Sequence, residues 1–108
     1  MAKYLMIESR DPFDSQDSEY FSELVQGISN NGHETVLFLV QNGVLPARKG
    51  SKYSELITRL ANGKVKVMAD RFSLKERAIS NVADGVEPVD MDRVVDLMVA
   101  PGTKTIWH

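Results

Sequence analysis

Cysteine is absent from the sequence, which excludes disulfides, thiolate metal sites, cysteine nucleophiles and the carriage of sulfur as a cysteine persulfide. Long apolar runs are missing as well. The opening stretch Met-Ala-Lys-Tyr-Leu-Met-Ile-Glu is far too short for a signal peptide or a membrane helix, so a cytoplasmic protein without a membrane partner is expected. No charge of one sign prevails: the net charge is −2, and lysines and arginines are scattered along the chain. Such a chain offers phosphate backbones no attractive field, and direct nucleic-acid binding is not expected. Histidine is scarce, and neither His33 nor His108 has companions at ligand spacing, so no metal site is expected. Asp11, Asp14 and Asp17 lack the glycine and distal glutamate of a calcium loop and suit a helix start instead. Gly43 and Gly50 flank neither GxGxxG nor GxxxxGK[ST], so no nucleotide cradle and no cofactor are expected.

What is present suits a packed domain. Apolar residues make up 43% and charged residues 26% of 108 residues, an ordinary globular composition in a chain long enough for one core. One domain over residues 1–108 is expected. Tyr4 to Ile7 and Thr35 to Val40 are continuous apolar runs of the kind that form strands buried on both faces of a parallel sheet. Between them Phe21, Leu24, Val25 and Ile28 make one helical stripe, with Ser15, Asp17 or Ser18 as caps and Asn31-Gly32 as the stop. The spacing returns at Tyr53, Leu56, Ile57 and Leu60, with Ser51 as cap and Asn62-Gly63 as stop. Val65, Val67 and Ala69 alternate with Lys64, Lys66 and Met68, a third strand with one better-buried face. Ser73-Leu74-Lys75-Glu76 has the form of a capping box and predicts a short helix from Leu74. Asp90 caps a last helix with the stripe Met91, Val94, Val95 and Met98; Pro101-Gly102 ends it, and Thr103 to Trp107 is a final strand. Strands alternating with helices through short connections predict a three-layer α/β/α domain with a mainly parallel sheet of about five strands.

In such sheets ligands bind beyond the carboxyl ends of the strands. The segments expected there are Glu8-Ser9-Arg10-Asp11, Gln41-Asn42-Gly43 and Asp70-Arg71-Phe72-Ser73. The candidates for ligand or partner binding are accordingly Asp70, Arg71, Ser73, Arg77, Ser9, Arg10, Gln41, Asn42 and Gly43. Asp70 is weighed evenly between a helix-terminus acid and a ligand or partner role. Ser73 is read as a cap, since no histidine stands near it as a base. Arg77 is read as folding back over the helix start, pairing with Glu76 or Asp70, or remaining solvated. No catalytic residue is assigned. Asp70 as a general base ranks last, for want of an acid partner, metal or cofactor motif.

The first apolar strand, "NNGHETVLFLVQNGV", "GKVKVMADRFSLKERAI" and the closing "KTIWH" resemble, in order and over nearly the whole chain, the DsrE/DsrF/DsrH-like sulfur-relay family. Asp11-Pro12-Phe13 and Ile106-Trp107 are similar to its DsrH branch. The resemblance implies a parallel sheet between helices and assembly as a homo-oligomer or with related family subunits, with Trp107 as an interface candidate. It also sets the sulfur-carrying cysteine of the DsrE branch on Asp70. A carboxylate there keeps a negative charge at neutral pH but forms no persulfide. The expected function is a non-catalytic, structural or regulatory component linked to sulfur trafficking. The alternative is a homo-oligomer that binds a small anion or metabolite at the carboxyl edge.

Overall fold

The computed structural model describes residues 3–11 and 16–108, the side chains of 16–22 excepted. Five strands form one sheet in the order β4-β3-β2-β1-β5, every pair parallel. They are β1 (Lys3–Glu8), β2 (Glu34–Leu39), β3 (Val65–Asp70), β4 (Glu87–Val89) and β5 (Thr103–Trp107), alternating with helices α1 (Gln16–Asn30), α2 (Ser54–Asn62), α3 (Arg71–Glu76) and α4 (Met91–Val99). A 3-10 helix, Gln41–Ala47, leads from β2 toward α2. Successive connections step from β1 to β4 in one direction, and the last returns across the sheet to β5. Crossovers of one hand then put α1, α2 and α3 on one face and α4 on the other. Packing follows this division. Met6, Leu37 and Val67 meet Val25, Ile57, Leu60 and Leu74 on the first face. Leu5, Ile7, Val36, Phe38 and Met68 meet Val94 and Leu97 on the second.

Several details depart from the sequence expectations. The unlocated strand is β4, which holds Pro88; at the edge of a sheet a proline costs no ladder hydrogen bond on its open side. Met68, expected on the less buried side of β3, is fully buried because α4 covers that side. In α4 the predicted stripe is turned largely outward: Val94 is buried, while Met91, Val95 and Met98 are 44% to 49% exposed. Among the described residues a single short helix covers the second face, and it meets the sheet along Val94 and Leu97. The Ser51 hydroxyl donates to the Pro46 carbonyl at 2.7 Å and does not cap α2, whose first flanking residue is Tyr53. Asn31-Gly32 does stop α1, with Gly32 in the left-handed region at φ 86°. The cap candidate Ser15 and the Pro12-Phe13 pair lie outside the described residues, as do the side chains of Asp17, Ser18 and Phe21.

Candidate functional site

β3 runs into α3 with no intervening loop, and this fixes the role of Asp70. Its backbone is still extended (φ −65°, ψ 118°), which makes it the N-cap residue. Its Oδ2 accepts from the Ser73 backbone N–H at 3.1 Å and from the Ser73 hydroxyl at 2.6 Å. The Ser73 Oγ in turn accepts the Gln41 backbone N–H at 2.9 Å. Asp70 and Ser73 are 5% and 2% exposed. The capping-box expectation is therefore corrected: α3 begins at Arg71, Asp70 caps it, and Ser73 sits inside the first turn. Gln41 holds a positive φ of 54°, a strained conformation for a non-glycine residue. It stands where the chain leaves β2 for the 3-10 helix.

The neighbouring polar groups extend this network. Arg77 donates through Nε and Nη2 to the Asn42 Oδ1 at 3.2 and 3.0 Å, and through Nη1 to the Ser73 carbonyl at 3.2 Å. It thereby ties the end of α3 to the 3-10 helix, with Glu76 alongside at 3.8 Å. Arg71 turns the other way. Its Nη1 lies 3.2 and 3.3 Å from the two carboxylate oxygens of Asp90, and its Nη2 donates to the Pro88 carbonyl at 3.1 Å. Asp90 flanks α4 without a side-chain capping bond; its carboxylate serves this pair instead. Both partners are well exposed, and such a pair contributes about 0–1 kcal/mol.

A second cluster forms where β1 and β5 end side by side. Glu8 is buried, and its carboxylate oxygens lie 3.0 and 2.9 Å from the His108 Nδ1. The Arg10 backbone N–H donates to Glu8 Oε1 at 2.8 Å, and the Ser9 hydroxyl donates to the His108 carbonyl at 2.9 Å. Burial pushes the Glu8 carboxyl above its ordinary range, opposed by the Arg10 N–H, the His108 ring and the nearby positive charges. Gly43 presses on the same strand end: a Cβ there would stand 2.1 Å from the Glu8 carbonyl oxygen. Glycine alone allows this approach of backbone to backbone.

The candidates thus divide. Asp70, Ser73, Gln41, Asn42 and Arg77 form one connected set; Ser9 and Arg10 join Glu8 and His108; Gly43 packs between the two groups. Arg71 faces β4, and Trp107, 63% exposed, stands on the edge strand β5. Glu8 and His108 were not singled out as a site. The available signal was an acid closing a buried strand, but its partner lies 100 residues away, and only the adjacency of β1 and β5 joins them. Chemically, the Asp70 Oδ2 is engaged by both donors of Ser73, in a residue 5% exposed. Among the described residues no group of three metal-ligating side chains occurs, and no helix is long and apolar enough to cross a membrane.

Comparison with known proteins places the chain by its whole length. The profile of the DsrE/DsrF-like family matches residues 2–106. No curated protein matches the chain in sequence. Among solved structures, the ychN protein from E. coli superposes with a TM-score of 0.90 at 18% identity, covering 100% of both chains. A protein of unknown function from Methanobacterium thermoautotrophicum, MTH1491, superposes with a TM-score of 0.80 at 17% identity, covering 98% of this chain and 97% of the other. At these identities the likeness establishes the fold.

Proposed function

We propose, on the premise that this chain belongs to the DsrE/DsrF-like family, that it is a non-catalytic member: a structural or regulatory component linked to sulfur trafficking in the cytoplasm. The observation that carries this reading is the condition of Asp70. It occupies the position where the resemblance sets the sulfur-carrying cysteine, and its carboxylate is buried and turned inward onto Ser73. With no cysteine in the chain, a persulfide sulfur has no thiol to form on, so any sulfur must be carried by another subunit.

A surface for such a subunit is available on α4. Met91, Val95, Met98 and Val99 expose apolar side chains along one short helix, and a contiguous apolar patch marks a protein contact more than scattered exposed residues do. The proposed partners are further copies of this chain or related, cysteine-bearing family subunits. Affinity capture from the native host should recover a cysteine-bearing family member. Met98→Asp, a surface change expected to alter stability by less than about 0.5 kcal/mol, should abolish that recovery. A chain that remains monomeric in light scattering and captures no family member refutes the reading.

A further inference from the structure

We infer that the crevice between α3 and the edge strand β4 is a binding site for a small amphipathic carboxylate, a molecule with one anionic head and a short apolar chain. The crevice follows from the way the chain returns from α3: it turns at Ala78 and runs back through Ser80 and Val82 to the edge strand β4. A cavity of about 420 Å³ opens between α3, this return and Pro88 of β4, within the roughly 300–1,000 Å³ of small-molecule sites. It lies apart from the buried Asp70 network, and the inference does not depend on the subunit role.

The lining states the ligand's chemistry. Leu74, Ala78, Ile79, Val82 and Pro88 supply an apolar floor and walls, and Arg71 and Lys75 stand on the same crevice. Arg71 is braced across the gap by Asp90 and the Pro88 carbonyl through its two terminal nitrogens, which leaves its Nε–H out of these contacts. Lys75 makes no ion pair among the described residues. Glu87, the acid beside Pro88, is tied to Arg93 at 2.5 Å. Asp90 pairs with Arg71 from outside the crevice, no acid is among the lining residues, and the Lys75 charge lies beside apolar surface. The wall is built into the end of α3: Ala78 turns the chain in the left-handed region at φ 54°, and the Ile79 N–H returns to the Leu74 carbonyl at 2.9 Å. A head-group carboxylate meets Lys75 and the Arg71 Nε–H while the chain lies along Leu74, Ile79 and Val82.

Titration of the isotope-labelled full chain by NMR, with hexanoate, octanoate and octanol as probes, tests this. Octanoate should saturate shifts at the amides of Lys75, Ala78 and Ser80. The two added methylenes should tighten binding over hexanoate by roughly four- to fifteen-fold. Lys75→Gln, a change at an exposed position, should weaken octanoate by roughly two- to five-fold and leave octanol unaffected. The inference is overturned if no saturable shift reaches these amides, if octanol binds as tightly as octanoate, or if Lys75→Gln leaves octanoate affinity unchanged.

Discussion

Replacing Asp70 by alanine separates a structural carboxylate from one kept for a ligand. In the fold, Oδ2 receives two donors from Ser73, a backbone N–H at 3.1 Å and a hydroxyl at 2.6 Å, at a site 5% exposed. Loss of an N-cap costs about 0.5–2 kcal/mol. Leaving a buried donor without a partner costs about 1–3 kcal/mol, and bonds to a charged acceptor lie at the upper end. The two losses overlap, so Asp70→Ala should destabilise by about 2–4 kcal/mol, a fall in melting temperature of roughly 10–20 °C for a chain of this size. Asp70→Asn keeps an acceptor of equal capping strength and should cost about 0.5–1.5 kcal/mol. Urea denaturation of both variants, of Ser73→Ala and of the double variant Asp70→Ala/Ser73→Ala gives the coupling directly. We expect it to be about 1–2 kcal/mol, within the range for residues in one network. An Asp70→Ala variant as stable as the parent, or more so, would refute the reasoning. That result is expected of a carboxylate held against stability for the sake of function.

Gly43→Ala drives a Cβ to 2.1 Å from the Glu8 carbonyl and should destabilise by about 1–3 kcal/mol; an unshifted urea midpoint would show that the 3-10 helix yields freely. Because burial raises the Glu8 carboxyl above its ordinary value of 4.5, the folded chain retains a proton that the unfolded chain has already released. The contribution of Glu8 to stability is therefore complete below that value and lost as pH rises through the raised folded value. Glu8→Gln should gain on the parent over that rise, and parallel stability profiles from about pH 4 to about pH 7 would contradict the assignment. Asp70→Cys places a thiol under the same cover, where the resemblance sets the family's sulfur-carrying cysteine. Its alkylation should be slow in the folded protein and fast in urea, and equal rates would show the site to be open.

The legible part of the fold is the part that local periodicity dictates. Apolar runs at Tyr4–Ile7 and Thr35–Val40 read as doubly buried strands because helices cover both faces of the sheet. Pro88 hid β4, since the same residue that interrupts an interior strand is harmless at an edge. The stripe of α4 was visible, but not which part of it the sheet would take: a helix alone on its face buries a narrow line through Val94 and Leu97 and leaves Met91, Val95 and Met98 outside. At the site, the serine and glutamate of Ser73-Leu74-Lys75-Glu76 matched a capping pattern that Asp70 pre-empted from three residues upstream. The choice depends on where β3 ends, which the sequence leaves uncertain by a residue or two. The contacts of Glu8 with His108 and of Ser73 with Gln41 join residues 100 and 32 positions apart. They exist only once strand order is known.

On the proposed reading, the bonding of Asp70 sets the stability of this strand end against sulfur chemistry at it. A nucleophilic thiolate at a helix start needs an anionic atom held by the first turn and still open to its partner. The lone pairs that accept hydrogen bonds are the ones that would attack, so each donor that satisfies the anion also lowers its reactivity. Here two donors converge on one carboxylate oxygen, and the Ser73 hydroxyl carries the connection onward to the Gln41 N–H. The end of β3, the first turn of α3 and the exit of β2 are thereby fastened to one point. A carboxylate suits that task better than sulfur, because it is the stronger acceptor. The Asp70 carboxylate at the head of α3 thus serves as a cap, while the surfaces proposed for other molecules lie on α4 and in the crevice beside β4.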